Sequence, residues 1–170
     1  IQYNFDSIAL MPTNLYGPGD NYNLENGHVM AALIRKFCDA VNNDSKSVTC
    51  WGTGSPLRAF LHVDDLSDAI IFCLNNWNPK SENSPLDKNG NPLYHLNVGT
   101  GKDLSIKELA YKIAKFTNFK GKIIWDKSKP DGTPQKKLDI SRISQLGWTY
   151  KIELDEGIKK TINEYKKSLR

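Results

Sequence analysis

Short apolar runs alternate with amphipathic segments along this chain, and that alternation predicts an α/β fold. Apolar runs of strand length, closed by glycine, proline or polar residues, predict strands at 7–11, 48–51, 58–63, 94–98 and 122–125. Between them lie longer segments whose apolar residues recur every three or four positions, which is the spacing of a buried helix face. No internal repeat and no low-complexity tract interrupts this pattern.

Two helices are predicted in the first half of the chain. The first covers 29–41, and its apolar face consists of Val29, Met30, Leu33, Ile34, Phe37 and Val41. The second covers 66–74. We expect Asp64 and Asp65 to be its N-caps, because a carboxylate accepts the free backbone N–H groups of a first helical turn.

The second half of the chain carries two more helix signals. Ser105 and Glu108 have the spacing of a capping box, so a helix is expected to begin there. The C-terminal segment is predicted to be helical, with an apolar stripe of Ile158, Ile162, Tyr165 and Leu169. Two polar segments rich in proline, glycine or asparagine have no such period. We expect 13–23 to lack regular structure and 75–92 to be a surface loop.

Composition narrows the class of protein. The 170 residues contain 39% hydrophobic and 25% charged side chains, an ordinary globular mixture that excludes a disordered or collagen-like chain. With 23 basic and 19 acidic residues the net charge is +4, which suits an anionic small molecule without demanding nucleic acid. No apolar run approaches the roughly 20 residues that cross a bilayer. The chain opens at Ile1 without methionine, and we expect it to begin midway through a fold.

Cysteine and histidine usage excludes several kinds of site. Cys38, Cys50 and Cys73 are odd in number and far apart, so neither a disulfide framework nor a metal pattern is predicted, and a reducing cytoplasm is the expected compartment. The histidines lack zinc-ligand spacing. His62 and His95 lie in apolar strands and are expected to be structural.

His28 differs from the other two histidines because it follows a polar loop and precedes a helix. Imidazole exchanges protons near neutral pH, so a catalytic role is possible at this position. From the residues alone, a helix N-cap or a surface histidine explains the position equally well.

Two glycine-containing segments do not complete a phosphate-binding fingerprint. The G-T-G at 52–54 has Leu57 where a dinucleotide-binding loop needs its third glycine. The G-T-G-K at 99–102 continues with Asp103, where a P-loop has the serine or threonine that holds magnesium. Both segments are predicted to be turns, so the chain has no complete cofactor fingerprint.

A series of motifs nevertheless occurs in a particular order. They are L-M-P-T-N-L-Y-G-P at 10–18, D-N at 20–21, His28, W-G-T-G at 51–54, R-A-F-L-H-V-D-D at 58–65, N-V-G-T-G at 97–101, K-P-D-G-T-P at 129–134, and L-D-I-S-R with L-G-W at 138–148. In this combination the chain resembles the second half of extended short-chain dehydrogenase/reductases that act on nucleotide sugars. The GDP-L-fucose synthase branch of that family is the closer match, and the resemblance covers essentially all 170 residues.

The resemblance implies a fold and an activity. The fold would be the last elements of a Rossmann-type NAD(P)-binding fold plus the smaller C-terminal substrate-binding domain. Residues 1–170 would form that C-terminal portion, with the N-terminal cofactor-binding half absent. The complete enzyme, expected to be a homodimer, would convert GDP-4-keto-6-deoxy-D-mannose to GDP-L-fucose by 3,5-epimerisation and NADPH-dependent 4-reduction. This chain alone is expected to be inactive.

The resemblance also assigns roles to individual residues. His28 would be the catalytic acid. The nicotinamide end of NADP(H) would be lined by Pro12, Thr13, Asn14 and Leu15. The GDP-sugar would be bound by Lys36, Trp51, Arg58, Asp131 and Lys136. No metal, nucleic acid or membrane is implied.

Two departures from the family pattern weaken the expected specificity. Lys36 stands where a second arginine is usual, which keeps the charge but loses the bidentate fork, and Gln135 replaces a basic residue. Two other hypotheses therefore stay open. One is a related nucleotide-sugar dehydratase or 4-epimerase, and the other is a non-catalytic nucleotide-sugar-binding module.

Overall fold

Residues 7–169 are described by a computed structural model in which strands and helices alternate. The helices are α1 (Val29–Asn42), α2 (Val63–Asn76), α3 (Ile106–Thr117), α4 (Ser141–Gln145) and α5 (Leu154–Ser168). The strands are β1 (Ala9–Pro12), β2 (Asn14–Tyr16), β3 (Ser47–Trp51), β4 (Leu57–Arg58), β5 (Phe60–His62), β6 (His95–Val98), β7 (Leu104–Ser105), β8 (Lys122–Asp126) and β9 (Gln135–Lys136).

The strands form four separate sheets, and most of their pairings are parallel. β1 pairs with β6, β2 with β5 and β3 with β8, each in parallel. A small mixed sheet has the order β7-β4-β9, in which β4 is antiparallel to β7 and parallel to β9. Parallel pairs joined by helical crossovers are the mark of an α/β fold, so the predicted class is confirmed. Among the described residues, no helix has the length and apolarity that a membrane span requires.

The segment 13–23 was expected to lack regular structure, and this is wrong at its start because β2 forms there. The Thr13 N–H donates to the Val98 carbonyl across 2.9 Å, next to the end of β1. The side chains of Thr13 and Asn14 both donate to the Ala59 carbonyl, across 3.1 and 2.8 Å. These bonds hold the chain where it passes from the β1–β6 pair to the β2–β5 pair. Regular structure ends only after Tyr16, at Gly17, Pro18 and Gly19.

The predicted strand at 58–63 is divided, and the capping residues of the following helix were wrongly assigned. β4 and β5 are separated by Ala59, and α2 begins at Val63. Its N-cap is His62, whose Nδ1 accepts the Asp64 N–H across 3.2 Å. Asp65 is 2% exposed and accepts the backbone N–H groups of Lys151 and of the next residue, so its carboxylate joins α2 to a distant segment.

The apolar residues form two cores. The larger lies between α1, α3 and α5 and contains Phe37, Leu109, Ile113, Ile158 and Ile162. The second contains Leu61, Cys73, Trp77, Leu96, Val98, Ile143 and Trp148. Trp77 follows α2 within the predicted loop at 75–92, and its indole N–H donates to the Ser84 hydroxyl. The segment 75–92 is therefore partly buried, because its Trp77 ring packs in the second core.

The remaining helix predictions are mostly confirmed. Ser105 and Glu108 form the capping box of α3, with both reciprocal bonds present. In α5 the stripe of Ile158, Ile162 and Tyr165 is buried, but Leu169 lies beyond the helix and is 55% exposed. On α1, Val29 is exposed at the first turn and is no part of the buried face.

Candidate functional site

A cleft of about 870 Å³ opens where β1 and β2 end. Its walls come from 12–20, from the first turn of α1, from β5 and from β9 with the residues after it. Ligands of open α/β sheets bind beyond the carboxyl ends of the strands, so this is where the fold places a site. The volume falls in the usual range of small-molecule pockets, roughly 300–1,000 Å³.

The first wall of the cleft is the segment predicted to contact a cofactor. Pro12, Thr13, Asn14 and Leu15 all line it. Because the side chains of Thr13 and Asn14 donate to the Ala59 carbonyl, this wall is held in place by its own hydrogen bonds before any ligand arrives. The structure thus brings these residues together on one surface.

The ring of Tyr16 and the ring of His62 lie beneath this wall. Their centroids are 5.3 Å apart in an edge-to-face arrangement, and both side chains are almost fully buried. Burial raises the pKa of Tyr16, and the nearby Asp65 raises it further. Burial lowers the pKa of His62 against the opposing effect of Asp64 and Asp65. These two rings are therefore a structural base of the cleft, as expected for His62.

The loop between β2 and α1 forms the second wall. Gly17 has a φ of +149° and lies against Val63, so a Cβ there would meet the Val63 methyl at 2.5 Å. Further along, a Cβ at Gly27 would overlap the backbone oxygens of Asn21 and Asn23. The loop thus needs glycine at both points to fold closely onto itself and reach α1.

His28 ends this loop and lies at the mouth of the cleft. Its backbone occupies the N-cap position of α1, but its ring makes no capping hydrogen bond. The ring is exposed and lines the cleft. The backbone of His28 is therefore the cap of α1, while its imidazole takes no part in capping and is exposed at the cleft.

The third wall is β9 and the residues beyond it. Gln135, Lys136 and Lys137 line the cleft, and the side chains of Gln135 and Lys137 both approach the carboxylate of Asp103. Lys136 is exposed and has Arg58 as its register partner on β4. Arg58 itself lies outside the cleft, where one of its amino groups donates to the neighbouring Leu57 carbonyl.

A second group of residues, three of them predicted, lies around Trp51, and we call it the Trp51 cluster. It consists of Lys36, Trp51, Thr53, Lys129 and Asp131. The indole is 55% exposed, and the ammonium groups of Lys36 and Lys129 lie 5.4 and 5.5 Å from its ring centre. Lys36 also donates to the Thr49 carbonyl across 3.0 Å. An exposed aromatic face with two adjacent cations suits a ligand that combines a flat ring with phosphate charge.

Asp131 in this cluster is already engaged within the protein. Its two carboxylate oxygens accept the hydroxyl and the backbone N–H of Thr53, each across 2.7 Å. These hydrogen bonds, the hydroxyl first, hold the pKa of Asp131 below its usual value. Gly52 has a φ of +76°, and a Cβ there would overlap Asp131 Oδ1. The carboxylate therefore joins the 129–134 loop to the turn after β3.

The predicted site residues thus fall into two neighbouring groups. The cleft holds Pro12, Thr13, Asn14, Leu15, His28 and Lys136. The Trp51 cluster holds Lys36, Trp51 and Asp131. Arg58 lies between the groups, beside Lys136 in the sheet and 3.8 Å from the position a Cβ would take at Gly132.

Several residues at these surfaces were missed by the sequence reasoning. Lys129 and Asp20 lie within the motifs but were given no role, and Lys137 lies just outside them. The K-P-D-G-T-P motif was the available signal for Lys129, but its closeness to Trp51 depends on the pairing of β3 with β8. Within the described range 7–169, no three histidine, cysteine or acidic side chains are grouped closely enough to hold a metal.

Comparison with known proteins gives a family match and close relatives. The sequence profile of the NAD dependent epimerase/dehydratase family matches residues 1–86. A probable GDP-L-fucose synthase 1 from Oryza sativa subsp. japonica is 48% identical over 165 residues, which is 97% of this chain and 46% of that protein. The GDP-L-fucose synthase of Escherichia coli (strain K12) is 46% identical over 160 residues, 94% of this chain and 49% of that protein.

A solved structure gives the same picture. The GDP-L-fucose synthetase of Naegleria fowleri bound to NADP superposes with a TM-score of 0.81 at 28% identity, over 95% of this chain and 47% of that one. The chain thus spans about half the length of the relatives it matches.

Proposed function

The chain belongs to the NAD dependent epimerase/dehydratase family, and from that premise we propose that it is the C-terminal, substrate-binding part of a GDP-L-fucose synthase. The enzyme would convert GDP-4-keto-6-deoxy-D-mannose to GDP-L-fucose by 3,5-epimerisation and NADPH-dependent 4-reduction. One observation carries the proposal: His28 and the segment from Pro12 to Leu15 line the same cleft. A proton donor and a cofactor wall within one cleft are what a combined epimerisation and reduction needs.

His28 is the proposed acid of the epimerisation. The protons at C3 and C5 are acidic because each lies α to the C4 ketone. A base removes one of them from one face, the electron pair moves onto the ketone oxygen, and His28 delivers a proton to the opposite face. The C–H bond that forms replaces the one that breaks, so each step changes configuration without oxidation. The base is assigned to no residue of this chain.

The cofactor wall fits the nicotinamide end of NADP(H). Pro12, Thr13, Asn14 and Leu15 would hold that end, supported by the bonds from Thr13 and Asn14 to the Ala59 carbonyl. When bound, the cofactor supplies the hydride that reduces C4. The chain has no complete glycine fingerprint, so its residues would contribute only part of the cofactor site.

The Trp51 cluster and its neighbours are proposed to bind the GDP part of the substrate. The indole offers a flat face to guanine, while Lys36, Arg58 and Lys136 supply positive charge to the diphosphate. Since Asp131 is bonded to Thr53, its proposed contribution is to hold the 129–134 loop beside Trp51 and to accept further donors from the ligand.

The division of the fold and the setting of the enzyme are also proposals. We infer that the described residues combine the last Rossmann-type elements with a smaller substrate-binding domain, and that the complete enzyme is a homodimer. Cys38, Cys50 and Cys73 are free and buried, which supports a reducing compartment such as the cytoplasm.

The experiment is a chimera in which this chain replaces the matching segment of the Escherichia coli GDP-L-fucose synthase. The purified chimera is given NADPH and GDP-4-keto-6-deoxy-D-mannose, and NADPH oxidation and product stereochemistry are followed. GDP-L-fucose as product supports the proposal, and the separate chain should show no turnover. Turnover of a GDP-hexose that lacks the keto group, without net NADPH oxidation, would favour a 4-epimerase or dehydratase. Binding of GDP without turnover by the chimera would favour a non-catalytic module.

A further inference from the structure

The loop that carries His28 is attached to the protein body at Tyr22. The backbone carbonyl of Tyr22 accepts a hydrogen bond from Arg35 Nη1 on α1 across 3.2 Å. The Tyr22 ring packs on the ring of Tyr165 on α5, with centroids 4.4 Å apart and an interplanar angle of 34°. One residue of the loop is thus held by two different helices.

Arg35 is itself held in place for this contact. Its Nε lies 3.4 Å from Asp39 Oδ2, one turn further along α1. The guanidinium therefore has an acidic partner on its own helix and a carbonyl partner in the loop. Arg35 is absent from the lining of the cleft, so its charge serves the loop and not a ligand there.

Beyond Tyr22 the loop is a hydrogen-bonded turn that leads directly to His28. Asn23 Oδ1 accepts the backbone N–H groups of Glu25 and Asn26 across 2.8 and 3.0 Å. The Asn23 carbonyl accepts the Gly27 N–H across 2.8 Å. A displacement at Tyr22 would therefore move the turn that leads to His28, whose own backbone is held at the N-cap of α1 by the Ala32 N–H.

The Tyr22 hydroxyl takes no part in this attachment. The hydroxyl and Asp20 Oδ2 are both buried and lack hydrogen-bond partners among residues 7–169. Burial raises the pKa of Tyr22 to about 12, and the charge of Asp20 raises it as well. The phenol therefore stays protonated at working pH. It is a buried donor and Asp20 Oδ2 is a buried acceptor in the same loop, but the two are not hydrogen-bonded to each other.

We propose that Tyr22 and Arg35 are positioning residues that fix the loop 17–28 so that the His28 ring stands at the wall of the cleft. The effect on catalysis rests on the proposed function, whereas the attachment of the loop by Tyr22 and Arg35 does not depend on it. A displacement of about 1 Å at a reacting group can cost on the order of a hundredfold in rate. The attachment at Tyr22 thus matters to catalysis although neither side chain needs to touch the substrate.

Three variants separate the two contacts that hold Tyr22. Tyr22→Ala removes the ring contact with Tyr165. Arg35→Gln removes the charge and shortens the side chain, so the Nη1 bond to the Tyr22 carbonyl is lost. Tyr22→Phe keeps the ring and serves as the conservative rescue. The matched control is Tyr111→Ala, which removes a tyrosine ring that is 53% exposed on α3.

The first measurement is amide hydrogen exchange in this chain. We expect exchange at 23–27 to become about tenfold faster in Tyr22→Ala and Arg35→Gln, because the local opening free energy falls. Tyr22→Phe and Tyr111→Ala should exchange at 23–27 as the parent does, and amides of α2 should be unchanged in all variants. If Tyr22→Ala does not fold, the exchange rates of Arg35→Gln at 23–27 test the proposal. Unchanged exchange at 23–27 in the folded variants overturns the proposal.

The second measurement uses the chimera described above. Tyr22→Ala and Arg35→Gln should each lower kcat by about tenfold or more and leave KM for NADPH unchanged, whereas Tyr22→Phe should keep the parental kcat. An active chimera whose kcat is insensitive to both variants also overturns the positioning role. If the parent chimera is inactive, the proposed function fails, and the exchange experiment alone decides whether Tyr22 and Arg35 hold the loop.

Discussion

Thr53 and Asp131 are 78 positions apart, yet the Thr53 hydroxyl and backbone N–H donate to the two carboxylate oxygens of Asp131 at 2.7 Å each. This pairing closes the 129–134 loop over the turn after β3, beside the exposed face of Trp51. The loop is also held at its two ends, where the Lys129 N–H donates to the Asp126 carbonyl and the Pro134 carbonyl accepts the Leu57 N–H, so Thr53 fixes its middle. The shape of the Trp51 cluster therefore depends on a bond between a threonine and an aspartate.

Thr53→Val should raise the pKa of Asp131 toward its usual value. The variant removes the hydroxyl bond, the largest cause of the lowered pKa, and keeps the backbone N–H bond. The carboxyl titration is followed by carbon NMR. Because the pKa of Asp131 is lower in the folded than in the unfolded protein, its carboxylate stabilises the fold at pH values above the unfolded pKa. This stabilisation is lost as pH falls through the folded pKa.

Ser128→Ala is the matched control for that experiment. The Ser128 hydroxyl and N–H hold down the pKa of Asp126 in the same way. The control should therefore move the titration of Asp126 and leave that of Asp131 unchanged. A titration of Asp131 that does not respond to Thr53→Val would show that the hydroxyl bond is absent in solution.

Trp51→Ala should weaken the binding of GDP to this chain. Stacking of a base on an aromatic side chain contributes about 1–3 kcal/mol, so the dissociation constant is expected to rise about 5- to 150-fold. Trp51→Phe should recover part of the affinity. Isothermal titration calorimetry gives both values, with the exposed Tyr111→Ala as control. Equal affinity for parent and Trp51→Ala would remove Trp51 from the proposed site.

His62 should make the fold less stable in mild acid. Its ring is 1% exposed, and because Nδ1 accepts the Asp64 N–H, the folded protein holds the ring neutral. Burial lowers its pKa below that of the unfolded chain, about 6.5. The unfolded state therefore binds more protons below about pH 6.5, and the free energy of unfolding falls from there down to the folded pKa.

Denaturant unfolding across this pH range, with two variants, tests the assignment. His62→Asn keeps a side-chain acceptor at the N-cap but cannot titrate, so the free energy of unfolding should vary less with pH below about 6.5. His95→Asn replaces an exposed histidine on β6 and should keep the slope of the parent. The same slope in all three proteins would contradict the prediction.

The sequence predicted the features whose causes are local. The capping box of Ser105 and Glu108 spans four positions and was located correctly. β2 was missed because its reason is the ladder with β5, which lies far along the chain. The N-cap of α2 was misassigned to Asp64 and Asp65 because the carboxylate of Asp65 bonds to a segment near Lys151.

The same distinction applies to the site. Motifs selected Pro12, His28 and Lys136, and the structure places them in one cleft. Lys129 was missed because its contact with Trp51 exists only when β3 pairs with β8, a relation that single-sequence patterns do not contain. His95 was expected to be structural because its strand is apolar, but it occupies the exposed face of β6.

His28→Gln should abolish inversion at C3 and C5 in the chimera. Glutamine keeps a polar side chain of similar reach but cannot deliver a proton, and loss of a general acid costs about 10²- to 10⁴-fold. The base on the other face remains, so in deuterated water C3 and C5 should still exchange their protons while keeping their configuration. GDP affinity should be unchanged, because His28 lies in the cleft and not in the Trp51 cluster. Product stereochemistry and deuterium content are read by NMR, with His95→Gln as control. Inversion at the parental rate in His28→Gln would assign the acid to another residue, whereas loss of both exchange and inversion would place His28 on the side of the base.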